Sequence, residues 1–348
     1  MKDTIFIKPG KVELQDKPMP QIEAPDDAII KVVRTCVCGS DLWSYRGLDN
    51  RKANSQNNGH ESIGIVKEVG SAITTVKPGD FVICPFTHGC GRCSACRNGY
   101  DGSCLGHQDN SSSGNQAEYI RYQHAQWSLV RVPGQPSDYS EGMLKSILTL
   151  ADVMATGYHS ARTAQVKRGD TVAVIGDGAV GLCGIISAQL RGAKQIISLG
   201  SSHTDRQKLA KEFGATEVVP KRGEEAVKAI SKITHNQGAD AVLECVGTGA
   251  SLKEAVEVAG PGATVGRVGL PHNIPKGLLT KAFYKNVAIA GGIASVTTYD
   301  KSILLKAVLE GKINPGKVFN KSFVLDNIND AYQAMANREA IKSFVIVR

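Results

Sequence analysis

Four cysteines, Cys90, Cys93, Cys96 and Cys104, fall within fifteen residues at the spacing Cys-x2-Cys-x2-Cys-x7-Cys. Thiolates this close can enclose one tetrahedral zinc and leave no position for substrate. The chain has nine cysteines and the other five are spread along it, so abundance does not explain the cluster. Disulfides are the rival reading, but thiols two residues apart bridge poorly and nothing in the sequence suggests secretion. The expectation is a closed zinc site that holds a lobe together and does no chemistry.

Other donor side chains are dispersed. Cys36-Val-Cys38-Gly-Ser40-Asp41 offers thiols, a hydroxyl and a carboxylate. Gly59-His60-Glu61 offers an imidazole and a carboxylate, and Leu150-Ala-Asp152-Val-Met-Ala-Thr156 a further carboxylate. Each segment alone says little, because a lone cysteine or histidine is commonly core or surface.

A third pattern is Gly176-Asp-Gly178-Ala179-Val180-Gly181, a Gly-x-Gly-x-x-Gly turn between the apolar run Val172–Ile175 and a helical stretch. Its glycines allow a tight turn and close backbone approach to a pyrophosphate, whose charge sits at the helix N-terminus. In NAD sites an acid roughly 20 residues further on accepts the ribose 2′-hydroxyl. Here Ser201, Ser202, His203 and Arg206 stand at that place, which favours a 2′-phosphate and hence NADP(H). Two readings stay open beside it: a solvated loop with Asp205 as helix N-cap, and Asp205 as a displaced NAD-type acid.

These residues need a frame. Up to about residue 150, short β-branched runs such as Ala28–Arg34, Ile63–Val69 and Phe81–Cys84 alternate with turn signals such as Lys77-Pro-Gly-Asp80. From about 165, strand and helix alternate. Strands are expected at Thr171–Ile175, Gln195–Leu199, Glu217–Val219, Ala241–Val246, Ala263–Val268 and Val287–Ala290. That grammar predicts an α/β unit with a doubly wound parallel sheet of six strands. The tail after about 296 adds helices at Lys301–Glu310 and Ala331–Asn337 and a strand at Phe344–Val347, and should fold back onto the first domain.

Taken together and in this order, the motifs resemble the zinc-dependent medium-chain alcohol dehydrogenases over essentially the whole chain. The resemblance implies a GroES-like, mainly-β catalytic domain at 1–154, a Rossmann domain at 155–295 and a returning segment at 296–348. It implies two zinc ions per chain: a catalytic one on Cys38, His60 and Asp152, and a structural one on the four-cysteine lobe. It also implies that Ser40 takes the alcohol proton, Asp41 bonds the far nitrogen of His60, Glu61 lies close to the metal, and Thr156 lies near the nicotinamide. Hydride would pass between NADP(H) and a small alcohol or carbonyl. Two features depart from the family pattern. Trp43 stands where many members carry a histidine, so proton relay beyond Ser40 would rest on the cofactor ribose and water. The segment Asp49–Asn58 is unusually polar.

Composition narrows the classes further. A 348-residue chain is long enough for two domains, and 42% hydrophobic with 21% charged residues is ordinary for a soluble protein. The net charge of +8 is scattered, so it fits a small anionic ligand rather than nucleic acid. Lys167-Arg168 and Lys221-Arg222 read as solvated surface. No apolar run approaches the ~20 residues of a membrane span, and nine thiols without an export signal fit the cytoplasm. Cys36, Cys84, Cys183 and Cys245 read as core. The family suggests a homodimer or homotetramer. The rivals are an NAD-linked polyol or amino-alcohol dehydrogenase, a zinc-free quinone reductase relative, and a non-catalytic zinc- or nucleotide-binding regulator.

Overall fold

The computed structural model describes residues 1–55, 58–106, 114–272 and 274–348. It opens with a hairpin not read from the sequence, β1 (Lys2–Lys8) and β2 (Lys11–Asp16), turned at Pro9-Gly10. Next, β3 (Ala28–Cys36) delivers the Cys38–Asp41 segment to α1 (Asp41–Tyr45). β4 (Ser62–Val69) begins directly after Gly59-His60-Glu61. β5 (Phe81–Cys84) leads into the cysteine lobe, which contains α2 (Ser94–Arg97). The chain returns through β6 (Tyr119–Tyr122), α3 (Ala125–Ser128) and β7 (Val130–Val132) to α4 (Glu141–Thr149), just ahead of Asp152.

Strand and helix then alternate: α5 (Val153–Thr163), β8 (Thr171–Ile175), α6 (Ala179–Leu190), β9 (Gln195–Leu199), α7 (Thr204–Glu212), β10 (Glu217–Val219), α8 (Glu224–Ile233), β11 (Ala239–Glu244), α9 (Gly249–Val258), β12 (Ala259–Arg267), α10 (Leu278–Tyr284) and β13 (Ala288–Gly291). The last part carries α11 (Thr298–Leu309), β14 (Lys321–Val324), α12 (Ile328–Ala336) and β15 (Ser343–Ile346).

Packing divides the chain into two units, Met1–Asp152 with Ser295–Arg348, and Val153–Ala294. The second unit is a six-stranded sheet in the order β10-β9-β8-β11-β12-β13, parallel at every pairing. This is the doubly wound arrangement expected. Its central strands are buried almost throughout, because helices cover both faces. The strand order reverses between β8 and β11, at whose carboxyl ends open α/β sheets bind ligands. The first unit holds a mostly antiparallel sheet, β14-β15-β3-β4-β5-β7, with β6 also paired to β3. The final strand β15 pairs antiparallel with β3, Phe344 opposite Cys36.

Three details differ from the sequence reading. α5 starts immediately after Asp152, where no helix was assigned, because its first five residues are all buried and show no amphipathic period. α10 was likewise unassigned. Cys36, Cys84 and Cys183 are buried, but Cys245 follows β11 and is only half-buried. Lys167, Arg168, Lys221 and Arg222 are all exposed. No helix among the described residues is long and apolar enough to cross a membrane.

Candidate active site

The first unit brings Cys38, His60, Glu61 and Asp152 together, with one donor atom from each within 4.8 Å of all the others. Sheet register does much of this. Thr35 of β3 faces Ser62 of β4, so the segment leaving β3 meets the segment entering β4. Asp152 arrives by a different route, as the Phe86 N–H donates to the Ala151 carbonyl at 3.0 Å.

Each donor is held. Asp152 Oδ2 lies 3.4 Å from both Cys38 Sγ and His60 Nε2. The other ring nitrogen, Nδ1, is 3.5 Å from Asp41 Oδ1, while Asp41 Oδ2 accepts the Cys38 N–H at 2.9 Å. One carboxylate thus orients both the imidazole and the thiol segment, and turns Nε2 toward the cluster. Asp41 is itself braced by Gln116 Nε2 at 3.3 Å, and Gln116 Oε1 accepts the Tyr332 hydroxyl at 2.8 Å. Gly59 has φ +73°, and a Cβ there would stand 2.5 Å from Gln116, so only glycine fits before His60.

Glu61 is 1% exposed. Lys342, equally buried, donates from Nζ to Glu61 Oε1 at 2.6 Å and to the Val37 carbonyl at 3.2 Å. Burial pushes the Glu61 carboxyl up and the Lys342 charge opposes it. Burial also raises the Cys38 thiol. Burial pulls His60 down, but the Cys38 charge and bonds to Asp152 and Asp41 outweigh it, so its pKa is raised. Thiolate, imidazole and carboxylate are the ligand types zinc takes, and a divalent cation would reverse the penalty on the thiolate, so the donor set fits that metal. Ser40 is exposed, two residues from Cys38.

In the cysteine lobe all four Sγ atoms lie within 4.8 Å of one another. Cys93 Sγ is 3.4 Å from that of Cys96 and 3.9 Å from that of Cys104. The edge of a tetrahedron with ~2.3 Å Zn–S bonds is about 3.8 Å, so these positions also fit zinc. The backbone N–H groups of Cys96 and Leu105 donate to Cys93 Sγ, both at 3.4 Å, and lower that thiol to about 6. None of the nine cysteines is joined in a disulfide, and the Cys93 and Cys96 sulfurs at 3.4 Å stand well beyond S–S bonding distance, against the disulfide reading. Ser128 Oγ clasps the lobe, accepting the Gly89 N–H at 2.9 Å and donating to its carbonyl at 3.2 Å.

In the second unit Gly176 has φ +107°, and a Cβ on Gly181 would collide with the Gly176 carbonyl. Gly178 is the N-cap of α6, and a Cβ there would meet no protein atom, so the space beside it is free for a ligand's backbone approach. Ala179 and Val180 form the first turn with Gly181. This cradle fits a dinucleotide pyrophosphate. Beyond β9, Ser202 and His203 are exposed and Ser201 and Arg206 half-buried. The N-cap of α7 is His203, with Asp205 exposed inside the helix, so the N-cap reading of Asp205 is corrected. Thr156 is buried in α5 of the same unit.

Sequence reasoning missed Lys342, Gln116, Tyr332 and Asp177. Lys342 had one visible signal, a lysine beginning the apolar terminal strand. The two ends of the polar segment are tied to the fold, as Asp49 Oδ2 accepts the Ser44 hydroxyl at 2.6 Å and Asn58 Nδ2 donates to the Thr4 carbonyl at 2.6 Å, while Asn50, Lys52, Ala53 and Asn54 between them are exposed. Residues 56 and 57 of that segment lie outside the described residues.

Comparison with known proteins agrees with this geometry. Residues 24–134 match the alcohol dehydrogenase GroES-like domain family and residues 179–307 the zinc-binding dehydrogenase family. An alcohol dehydrogenase of Cupriavidus necator is 31% identical over 367 residues, covering 97% of this chain and 96% of the relative. The structure of an alcohol dehydrogenase from a Thermus species superposes with a TM-score of 0.89 at 29% identity, covering all of both chains. A zinc-dependent alcohol dehydrogenase of a pneumonia-causing Streptococcus gives 0.85 at 31% identity, over all of this chain and 98% of that one. With its two thiol-bearing clusters, its glycine turn and relatives that match from end to end, the chain belongs to the zinc-dependent medium-chain alcohol dehydrogenase family.

Proposed function

We propose that this oxidoreductase transfers hydride between NADP(H) and a small alcohol or carbonyl compound, with a catalytic zinc on Cys38, His60 and Asp152 and a structural zinc on Cys90, Cys93, Cys96 and Cys104. The convergence of those three donors beside buried Glu61 carries the reading. When bound, zinc supplies Lewis acidity toward the substrate oxygen and the nicotinamide exchanges the hydride. The protein's own side chains do the rest. Asp41 fixes the tautomer and direction of His60. Lys342 holds Glu61 beside the cluster, where its carboxylate would offer the metal a further donor. Ser40, exposed beside Cys38, moves the alcohol proton. Thr156 serves the nicotinamide end. Gly176, Gly178, Ala179, Val180 and Gly181 seat the pyrophosphate, and Ser201, Ser202, His203 and Arg206 meet the 2′-phosphate.

NAD(H) is the second reading, favoured by one observation: the Asp177 carboxylate accepts bonds from Ser201 at the end of β9. Steady-state rates with both cofactors over a panel of alcohols and carbonyls test the proposal. A kcat/KM for NADPH about tenfold or more above that for NADH is expected, the scale of one charge-assisted contact. Equal values or an NADH preference overturn the cofactor assignment. No turnover by protein carrying two zinc ions overturns the enzymatic one.

The proposal extends to a homodimer or homotetramer acting in the cytoplasm. Leu270, Ile274, Leu279, Phe283, Tyr284 and Ile293 are exposed apolar side chains around the edge strand β13, a surface suited to a second copy. A monomeric mass in solution overturns the oligomer. Nine cysteines with no disulfide among them support a reducing compartment.

A further inference from the structure

Asp177 is the residue between the first two glycines of the loop. Its carboxylate is turned to the end of β9. Oδ2 accepts the Ser201 N–H at 2.7 Å and also the Ser201 hydroxyl. Arg206 Nη1 donates to the Asp177 carbonyl at 3.2 Å and stands 3.8 Å from Oδ1. The two side chains are only 11% and 13% exposed. A Cβ on Gly200 would lie 2.7 Å from Asp177 Cβ, Cγ and Oδ2, so the carboxylate packs on the strand end itself. That is where an NAD enzyme carries its own acid. The acid absent from the strand is supplied by the loop.

We infer that Asp177 is the residue that limits this enzyme's preference for a 2′-phosphate, by engaging Ser201 and Arg206 with its own carboxylate. The inference rests on the loop being a dinucleotide site. Both donors of Ser201 end on one carboxylate oxygen, and the nearest guanidinium faces the other. A phosphate entering here meets donors that are already engaged and a negative charge beside them. Loss of that charge removes the repulsion and releases Arg206 to the phosphate, and loss of the oxygen as well releases Ser201, whereas a ligand without a 2′-phosphate gains nothing.

Calorimetric titration of the full-length protein with adenosine 2′,5′-bisphosphate and with 5′-AMP tests this. Asp177→Asn removes the charge and keeps an oxygen for Ser201; Asp177→Ala removes both. The bisphosphate is expected to bind roughly tenfold to a hundredfold more tightly to both variants, the scale of a released charge-assisted contact. The affinity for 5′-AMP should stay unchanged, and adding Arg206→Gln should abolish the gain. Unchanged or weaker bisphosphate binding in both variants overturns the inference, as does a parallel gain for 5′-AMP. A wild type that prefers 5′-AMP, with the preference reversed in Asp177→Asn, sinks the NADP(H) assignment and supports the role of Asp177. A wild type that binds neither ligand removes the dinucleotide site and this inference with it.

Discussion

Cys90, Cys93, Cys96 and Cys104 occupy one short stretch, whereas Cys38 and Asp152 stand 114 residues apart in sequence. The lobe supplies its own hydrogen-bond donors: N–H groups of Cys90, Cys96 and Leu105 point at its sulfurs. The dispersed cluster depends on strand register, on Asp41, and on a lysine just before the last strand. A site made of neighbours stabilises a lobe and can close around its metal. A site made of distant segments can keep one side unfilled, because no single loop must wrap the ion. On the proposed function, that difference separates holding a shape from doing chemistry.

The largest expected effect removes a dispersed ligand. Cys38→Ser or His60→Ala should bring turnover to background and lower zinc from two ions per chain to one, while 5′-AMP still binds. Activity near wild type in either variant would break the comparison. Next, Ser40→Ala should lower kcat by about 10²–10⁴-fold, the range for a lost proton-transfer group, with both metals retained. A variant that loses metal would show Ser40 to be structural.

Cys93→Ser should act on stability first. At about 2–4 °C per kcal/mol, a lobe deprived of its zinc should unfold roughly 5–10 °C lower. Calorimetry checks this, and an unchanged midpoint would mean that the lobe needs no metal. The smallest effect comes from a buried acid that belongs to neither cluster. Desolvation raises Asp3 to about 6, against the pull of Lys17 and the Thr4 N–H. A native pKa above the unfolded value means that the folded state holds the proton more tightly. The stability so gained is present below about pH 4 and is lost as pH rises through 6. Asp3→Asn should therefore unfold at a higher temperature than wild type at pH 8 and at the same temperature at pH 4. Equal midpoints at pH 8 would show that burial alone does not penalise a carboxylate in this unit, and would weaken the case that Glu61 needs Lys342 to offset its burial.

What the sequence showed and hid follows the same divide. The cysteine lobe and the glycine turn were legible because their spacing is their geometry. The β8–β13 alternation was legible because both-face burial writes apolar runs into the chain. α5 and α10 were missed for want of a period. Asp41 and His60 came by resemblance, but Gln116 and Tyr332, which brace Asp41, carry no local signal. Asp177 was hidden inside its own motif, since only the folded turn shows which way a spacer's side chain faces.

Lys342 and β15 also bear on how the protein is made. The nucleotide unit, Val153–Ala294, is one continuous stretch, while the metal-binding unit is interrupted by it. During synthesis at about 5–20 residues per second, the sheet of six parallel strands can close while the strand that flanks β3 does not yet exist. For several seconds Glu61 has no lysine and Cys36 no strand opposite. On the proposed function, a message cut short before Lys342 would therefore yield a chain whose six-stranded unit is complete and whose donor cluster is not, a product that holds cofactor without using it.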